Sequence, residues 1–247
     1  MLSGGPRAEV NSGATGATFQ YECYEKDIGG RQVNIYDTVG LNEADGGTVS
    51  AAQAIQKLYE LMCKLNDGVS LLVYVMRSPR LKKTIQDNYK LFYEIFCETK
   101  VQIVILITGL EDEDDMDAWW KDNEKTFLNR EMEFSGAACI TAIMGKKDRY
   151  KEEFTQSREK VEKLILNHCA QKPWLPPAGG GVAWLLIVLA TSFNFFAKFF
   201  NIPAAVLEES IYLALKSYGG MDDKQARELA NKIHVDCVRL GRKPTTQ

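Results

Sequence analysis

Apolar and polar positions first alternate with a period of two. Thr18-Phe19-Gln20-Tyr21-Glu22-Cys23-Tyr24 reads as a strand, Lys26-Asp27-Ile28-Gly29-Gly30 as a turn, and Arg31-Gln32-Val33-Asn34-Ile35-Tyr36 as a second strand, so the pattern predicts a hairpin. The period then lengthens. Ala51, Ile55, Leu58, Met62 and Leu65 recur at helical spacing from Thr48 to about Lys64, and Gly68 stops the stripe. Val69–Val75 is nearly all apolar and predicts a strand buried on both faces. A helix from about 82 to 98 follows, with Tyr89, Phe92, Ile95 and Phe96 inward. The strand 101–107 precedes a helix of roughly 115–130 carrying Met116, Trp119, Trp120 and Phe127. Trp119 and Trp120 are adjacent, so one is expected in the core and the other as a half-exposed cover. A short strand at 137–141 and a charged helix from about 150 to 168 complete the series. Strands alternating with helices in this way predict a doubly wound α/β fold, a parallel sheet covered by helices.

The pattern changes at Pro173. No charge falls between Pro173 and Ala197, and Pro173, Pro176, Pro177 and Gly179-Gly180-Gly181 predict a linker over 173–181. The run 182–200 is apolar except for Lys198, Thr191, Ser192 and Asn194, and is borderline against the about 20 residues that span a bilayer. Two readings stand: a membrane anchor or interfacial helix with Lys198 snorkelling, and a helix buried against protein. Two more helical stripes follow, Leu207, Ile211, Leu215 and Tyr218, then Ala226, Leu229, Ile233, Cys237 and Leu240, with Gly219-Gly220 between them. The domain expectation is therefore 1–172, a linker at 173–181, and a helical extension at 182–247.

Charge and composition narrow the classes. A formal net charge of −3 gives no electrostatic reason to expect a nucleic-acid partner. The six cysteines form no C-x-x-C pair and mostly sit in apolar runs, which predicts buried free thiols in a reducing compartment. Two histidines, His168 and His234, leave little for a metal site or a Ser-His-Asp triad, and both read as structural. Met1–Arg7 has no apolar core of a secretory signal. A cytoplasmic location is expected, with membrane association resting on 182–200.

The candidate chemistry begins at Asp37-Thr38-Val39-Gly40. A strand that delivers Asp-x-x-Gly to a loop supplies a carboxylate for a magnesium ion's water shell and a glycine N–H that can approach a phosphate oxygen. Nothing before it reads G-x-x-x-x-G-K-[ST], the loop that cradles phosphates. The element order places four further stretches with it: Gly13–Gln20, Gly68–Arg80, Ile107–Asp112 and Cys139–Lys146. Together with Asp37–Glu43, these resemble the AIG-type, immunity-associated GTPases of the septin-like group, and are most similar to their fungal G-domain relatives. The resemblance spans roughly residues 12 to 170.

The resemblance implies a three-layer P-loop NTPase-like sheet lacking its first strand and helix. It also implies binding of GTP or GDP with Mg2+, and, in a complete form, hydrolysis by in-line attack of water on the γ-phosphate. Thr18 (or Thr15) would coordinate magnesium and sense the γ-phosphate; Asp37 would hold the metal through water; Gly40 would contact the γ-phosphate. Thr108-Gly109-Leu110-Glu111 falls where the family carries [NT]-K-x-D. There Glu111 would accept the N1–H and N2–H of guanine, and Gly109 stands where a lysine stem stacks beside the base. Thr141-Ala142 would give a backbone N–H to guanine O6. No catalytic residue is assigned. Arg77 and Arg80 read either as a contact to a switch or a neighbouring subunit, or as a solvated pair opening a helix. Nucleotide-controlled dimerisation, possible on a membrane surface, goes with the resemblance. The absent central strand leaves two outcomes for strands 31–36 and 69–75: they pair directly, or the true start lies upstream, which is the expectation. The alternative function is a nucleotide-free pseudo-GTPase acting as an interaction or membrane-scaffold module.

Overall fold

The computed structural model describes residues 20–39, 61, 65, 67–78, 83–176, 181–199, 203–218 and 221–240. The helix expected over 48–64 lies outside them apart from Leu61, as do Thr18, Gly40 and Arg80. The chain divides into two compact units. The first is mixed α/β, a three-stranded parallel sheet flanked by helices, and contains the described residues 22–37 and 69–174. The second contains the C-terminal helical region.

In the first unit, β1 (Gln20–Ile28) and β2 (Arg31–Val39) form a two-stranded sheet of their own. The turn is tighter than the sequence predicts, only Gly29 and Gly30. Both have positive φ, +60° and +82°, the backbone of a tight hairpin turn that glycine adopts without strain. The Asp27 carboxylate accepts the Gly30 N–H at 2.8 Å and closes it. The β2 strand outruns its predicted end because Thr38 and Val39 are β-branched and suit the pleat. Asp37 consequently sits within the strand rather than in a loop.

The parallel sheet is built from β3 (Leu72–Arg77), β4 (Ile103–Thr108) and β5 (Gly136–Cys139), in that order. Leu72 pairs with Ile103 and Arg77 with Thr108; Val104 pairs with Gly136 and Ile107 with Cys139. Helix α1 (Lys83–Tyr89), its π-helical continuation Lys90–Phe96, and α2 (Met116–Leu128) connect the strands. One sheet face, Met76, Ile103, Ile105, Ile107 and Cys139, packs with Tyr89, Phe127 and Met132. The other face, Leu106, Ala138 and Ile140, packs with Val161 and Ile165 of α3 (Lys151–His168) and with Ile28, Val33 and Ile35 of the hairpin. β4 is thus buried on both sides, as a central parallel strand requires.

Two expectations change here, and one of the alternatives left open for strands 31–36 and 69–75 is not realised. The strand at 69–75 is not buried on both faces: Val73 and Val75 are 40% and 58% exposed, because β3 ends the described sheet and the hairpin covers β4 and β5 instead. Among the described residues β2 and β3 do not pair, so the direct closure of those two strands is not what forms. Trp119 and Trp120 do not divide into core and cover. Both are half-buried with ring centroids 6.3 and 5.2 Å from Phe127, since indole rings on neighbouring helical positions can lean toward one large side chain.

In the second unit, α4 (Gly181–Phe199), α5 (Ala204–Tyr218) and α6 (Asp223–Leu240) pack together. Trp184, Leu185, Val188, Leu189, Phe193 and Phe196 of α4 are buried, as are Leu207, Ile211 and Leu215 of α5. Ala226, Ala230 and Ile233 supply the α6 face, where small residues let helices approach closely. The α4 helix bends at Ser192, beside Thr191, whose hydroxyl donates to the Ile187 carbonyl at 2.8 Å and so competes with the backbone ladder. A polar seam joins α5 to α6. Arg227 lies 3.4 Å over the Tyr212 ring and pairs with Glu209, while the Tyr212 hydroxyl donates to Asp223 at 2.6 Å. Burial in this core accounts for much of the apolar run 182–200. No described helix is long and apolar enough by itself to cross a membrane; Ile187–Phe199 and Ala204–Leu213 pass only as a pair bent by 120°.

Candidate functional site

Parallel strands end together, and the loops leaving their carboxyl ends form a common rim where ligands of open α/β sheets bind. The pairing of Arg77 with Thr108 brings Ser78, Gly109 and Glu111 to one spot on that rim, and the Ile107–Cys139 pair brings Ile140 and Thr141 beside them. The Ser78 N–H donates to the Thr108 carbonyl at 2.9 Å and the Ile140 N–H to the Ile107 carbonyl at 2.8 Å, so the pairing extends past the named strands. The Thr108 hydroxyl turns inward and donates to the Met76 carbonyl at 3.2 Å, locking β4 to β3.

Gly109 then takes φ +80°. A Cβ there would lie 2.9 Å from Cγ, 3.2 Å from Nε and 3.4 Å from Cζ of Arg77. The glycine is therefore a notch across which the Arg77 side chain lies. The guanidinium reaches Glu111, with Nη2 3.6 Å from Oε1. The two partners differ sharply in exposure, 72% for the Arg77 side chain and 10% for that of Glu111. A shielded carboxylate lies beneath a planar, solvent-facing cation.

The acidic run behaves as a helix start. Asp112–Asp115 are exposed, and Asp115 caps α2 by accepting the Asp117 N–H at 3.0 Å. Asp112 also anchors the next loop: it accepts the Tyr150 hydroxyl at 2.6 Å and faces Arg149 at 3.7 Å. That hydrogen bond to a carboxylate pushes the Tyr150 pKa up. Lys160 of α3 reaches both Asp117 oxygens at 2.9 Å and the Cys139 carbonyl at 3.2 Å, tying α2 to the end of β5. Neither tie was legible from spacing, because each joins residues far apart in sequence across the rim.

The expected base-reading residues come together at this rim. Arg77, Thr108, Gly109 and Glu111 are in mutual contact or adjacent, with Thr141 and Ala142 on the neighbouring strand end. Thr141 is fully buried; its N–H donates to the Ser157 hydroxyl at 3.1 Å and its own hydroxyl to the Ile143 carbonyl at 3.2 Å. Ala142 is the exposed member of that pair. Asp37 is exposed on β2, a strand whose first residue, Arg31, donates to the Cys169 and Ala170 carbonyls at 3.1 Å each. Those carbonyls lie at the amino-terminal end of the sheet, since the Ala170 N–H donates to Ser70 just before β3.

Magnesium binds through one or two carboxylates, several waters and substrate phosphates. Among the described residues no group of three or more His, Cys, Asp or Glu side chains could hold a metal ion. Asp37 would be one carboxylate for such an ion, with water and a nucleotide's phosphate oxygens supplying the other positions. The thiols point away from catalysis: burial pushes Cys97 up to about 12 and Cys139 to about 11, so neither is a ready nucleophile. Cys23 departs from the expectation of buried thiols and is exposed on the hairpin. Both histidines take the structural roles expected: His168 Nε2 lies 3.0 Å from the Ser135 carbonyl, and His234 stacks on Phe193 at 5.2 Å while pairing with Glu208.

No model of a known protein family matches the chain, and no curated protein matches it.

Proposed function

We propose that this chain is a guanine-nucleotide-binding protein of the kind its motifs resemble, the AIG-type GTPases, with a nucleotide-controlled switch. On this reading the fold is a P-loop NTPase-like sheet without its first strand and helix. The observation that carries the proposal is the gathering of Arg77, Thr108-Gly109, Glu111 and the 141–142 turn at the carboxyl ends of three adjacent parallel strands. A shielded carboxylate at such a rim accepts a pair of N–H groups from guanine, a pattern adenine does not offer. GTP or GDP is the ligand, Asp37 is the carboxylate offered to a nucleotide-bound Mg2+, and GTP hydrolysis belongs to a form that also carries a phosphate loop.

Titration calorimetry of the full chain with GDP and with ADP, each with Mg2+, tests this. Micromolar GDP binding, at least tenfold weaker ADP binding, and weakened GDP binding in Asp37→Ala support it. Equal affinity for the two nucleotides, or heat from neither, removes it. A second reading, a pseudo-GTPase interaction module, draws on one observation: Glu111 is already faced by Arg77, so the base-reading carboxylate has a partner within the chain. A stable oligomer with no response to any nucleotide favours that reading.

A further inference from the structure

We infer that Arg77 is a specificity-determining residue of this rim: a stacking platform for a planar purine ring, which also aims Glu111 at the ring's edge. The inference rests on the guanine-nucleotide reading above. It begins with the register. Pairing of Arg77 with Thr108 puts an arginine of β3 beside the loop that leaves β4, although 34 residues of sequence, from 77 to 111, separate the partners. Gly109 has no Cβ, so the arginine stem crosses its backbone within van der Waals range, and any other residue would fill that space.

With Cγ, Nε and Cζ all within 3.4 Å of the Gly109 Cβ position, the Arg77 side chain is steadied along its length and carries its guanidinium plane with it. That plane is largely open to solvent, whereas the carboxylate it approaches is not. Guanidinium groups stack on flat π systems and at the same time donate in-plane to carboxylates, two directions that do not compete. A purine ring lying on the exposed plane therefore meets the Glu111 carboxylate at its edge. At 3.6 Å the Arg77–Glu111 contact is longer than a hydrogen bond, which leaves the carboxylate oxygens able to accept from a ligand. Arg77 supplies affinity for the ring, and Glu111 supplies the choice among rings.

This division of labour gives distinct mutational signatures. Fluorescence titration with GDP, inosine diphosphate and ADP, each with Mg2+, is run on the unaltered chain, Arg77→Ala, Arg77→Lys and Glu111→Gln. Arg77→Ala is expected to weaken GDP and inosine diphosphate by the same factor, about tenfold. Arg77→Lys restores the charge but not the plane, and is expected to stay near Arg77→Ala. Glu111→Gln is expected to narrow the gap between GDP and ADP. Full recovery in Arg77→Lys would reduce Arg77 to a charge that holds Glu111, and overturns the platform. Unchanged GDP affinity in Arg77→Ala overturns it as well, while leaving the guanine-nucleotide reading in place. Absence of any nucleotide binding to the unaltered chain overturns both. Arg77 is exposed, so its two variants are expected to melt within a few degrees of the parent, and circular dichroism checks the fold of all three.

Discussion

Gly109 carries more of the account than its size suggests. Its φ of +80° is a conformation that L side chains adopt at a cost of about 1–2 kcal/mol, and a methyl group there would meet Arg77 Cγ at 2.9 Å. Gly109→Ala is therefore expected to lower the urea unfolding free energy by about 1–2 kcal/mol and to push Arg77 off Glu111. An unchanged midpoint would mean that the loop accommodates a Cβ and that the notch is not a constraint. At this scale the sequence was informative about identity and silent about partnership. Glu111, Thr141 and Arg77 stood out as candidates, yet nothing in their spacing says that Arg77 crosses Gly109, or that the Thr141 N–H is taken by Ser157. Such contacts follow from strand register, which one chain's pattern does not encode.

Among the described elements from residue 69 to 168, the predicted alternation of strands and helices is present. The expected burial slips where geometry departs from the α-helix. The Lys90–Phe96 segment is π-helical, and its wider i→i+5 turn brings Leu91 to full burial while Phe92 and Ile95 are only half-buried, against the positions a 3.6-residue period selects. Buried thiols and phenols of the sheet unit set a pH response. Burial raises Cys97 from 9.0 to about 12, Cys139 from 9.0 to about 11, and Tyr74 and Tyr89 from 10.0 to about 12. A raised folded-state pKa means the unfolded chain releases these protons first. The stabilisation is complete below about pH 9 and is lost as pH climbs toward 12. Within that window Cys97 alone accounts for roughly 1.4 kcal/mol per pH unit. Urea midpoints followed by circular dichroism are expected to hold below about pH 9 and to fall steadily from there to about pH 11, less steeply in Cys97→Ala. A flat profile would show that these groups ionise in place without opposition from the fold.

For the molecule as a whole, the broad division was legible: a mixed α/β unit and a helical region that begins after a proline- and glycine-rich stretch. The apolar run 182–200 was ambiguous in sequence because a core helix and a bilayer segment demand the same side chains. Trp184, Leu189, Phe193 and Phe196 are nevertheless buried against other helices. What sequence did not foresee was β3 at the end of the described sheet with Val73 and Val75 exposed, since a continuous apolar run implies cover on both faces. The central claim is that the carboxyl-end rim of the parallel sheet receives a guanine nucleotide. Hydrogen–deuterium exchange of the full chain, with and without saturating GDP and Mg2+, tests it most directly. Slowed exchange is expected in peptides covering 76–80, 108–113 and 140–146, with the helices at 204–240 unaffected. Unaltered exchange across those three loops, or protection confined to the C-terminal helices, would contradict it.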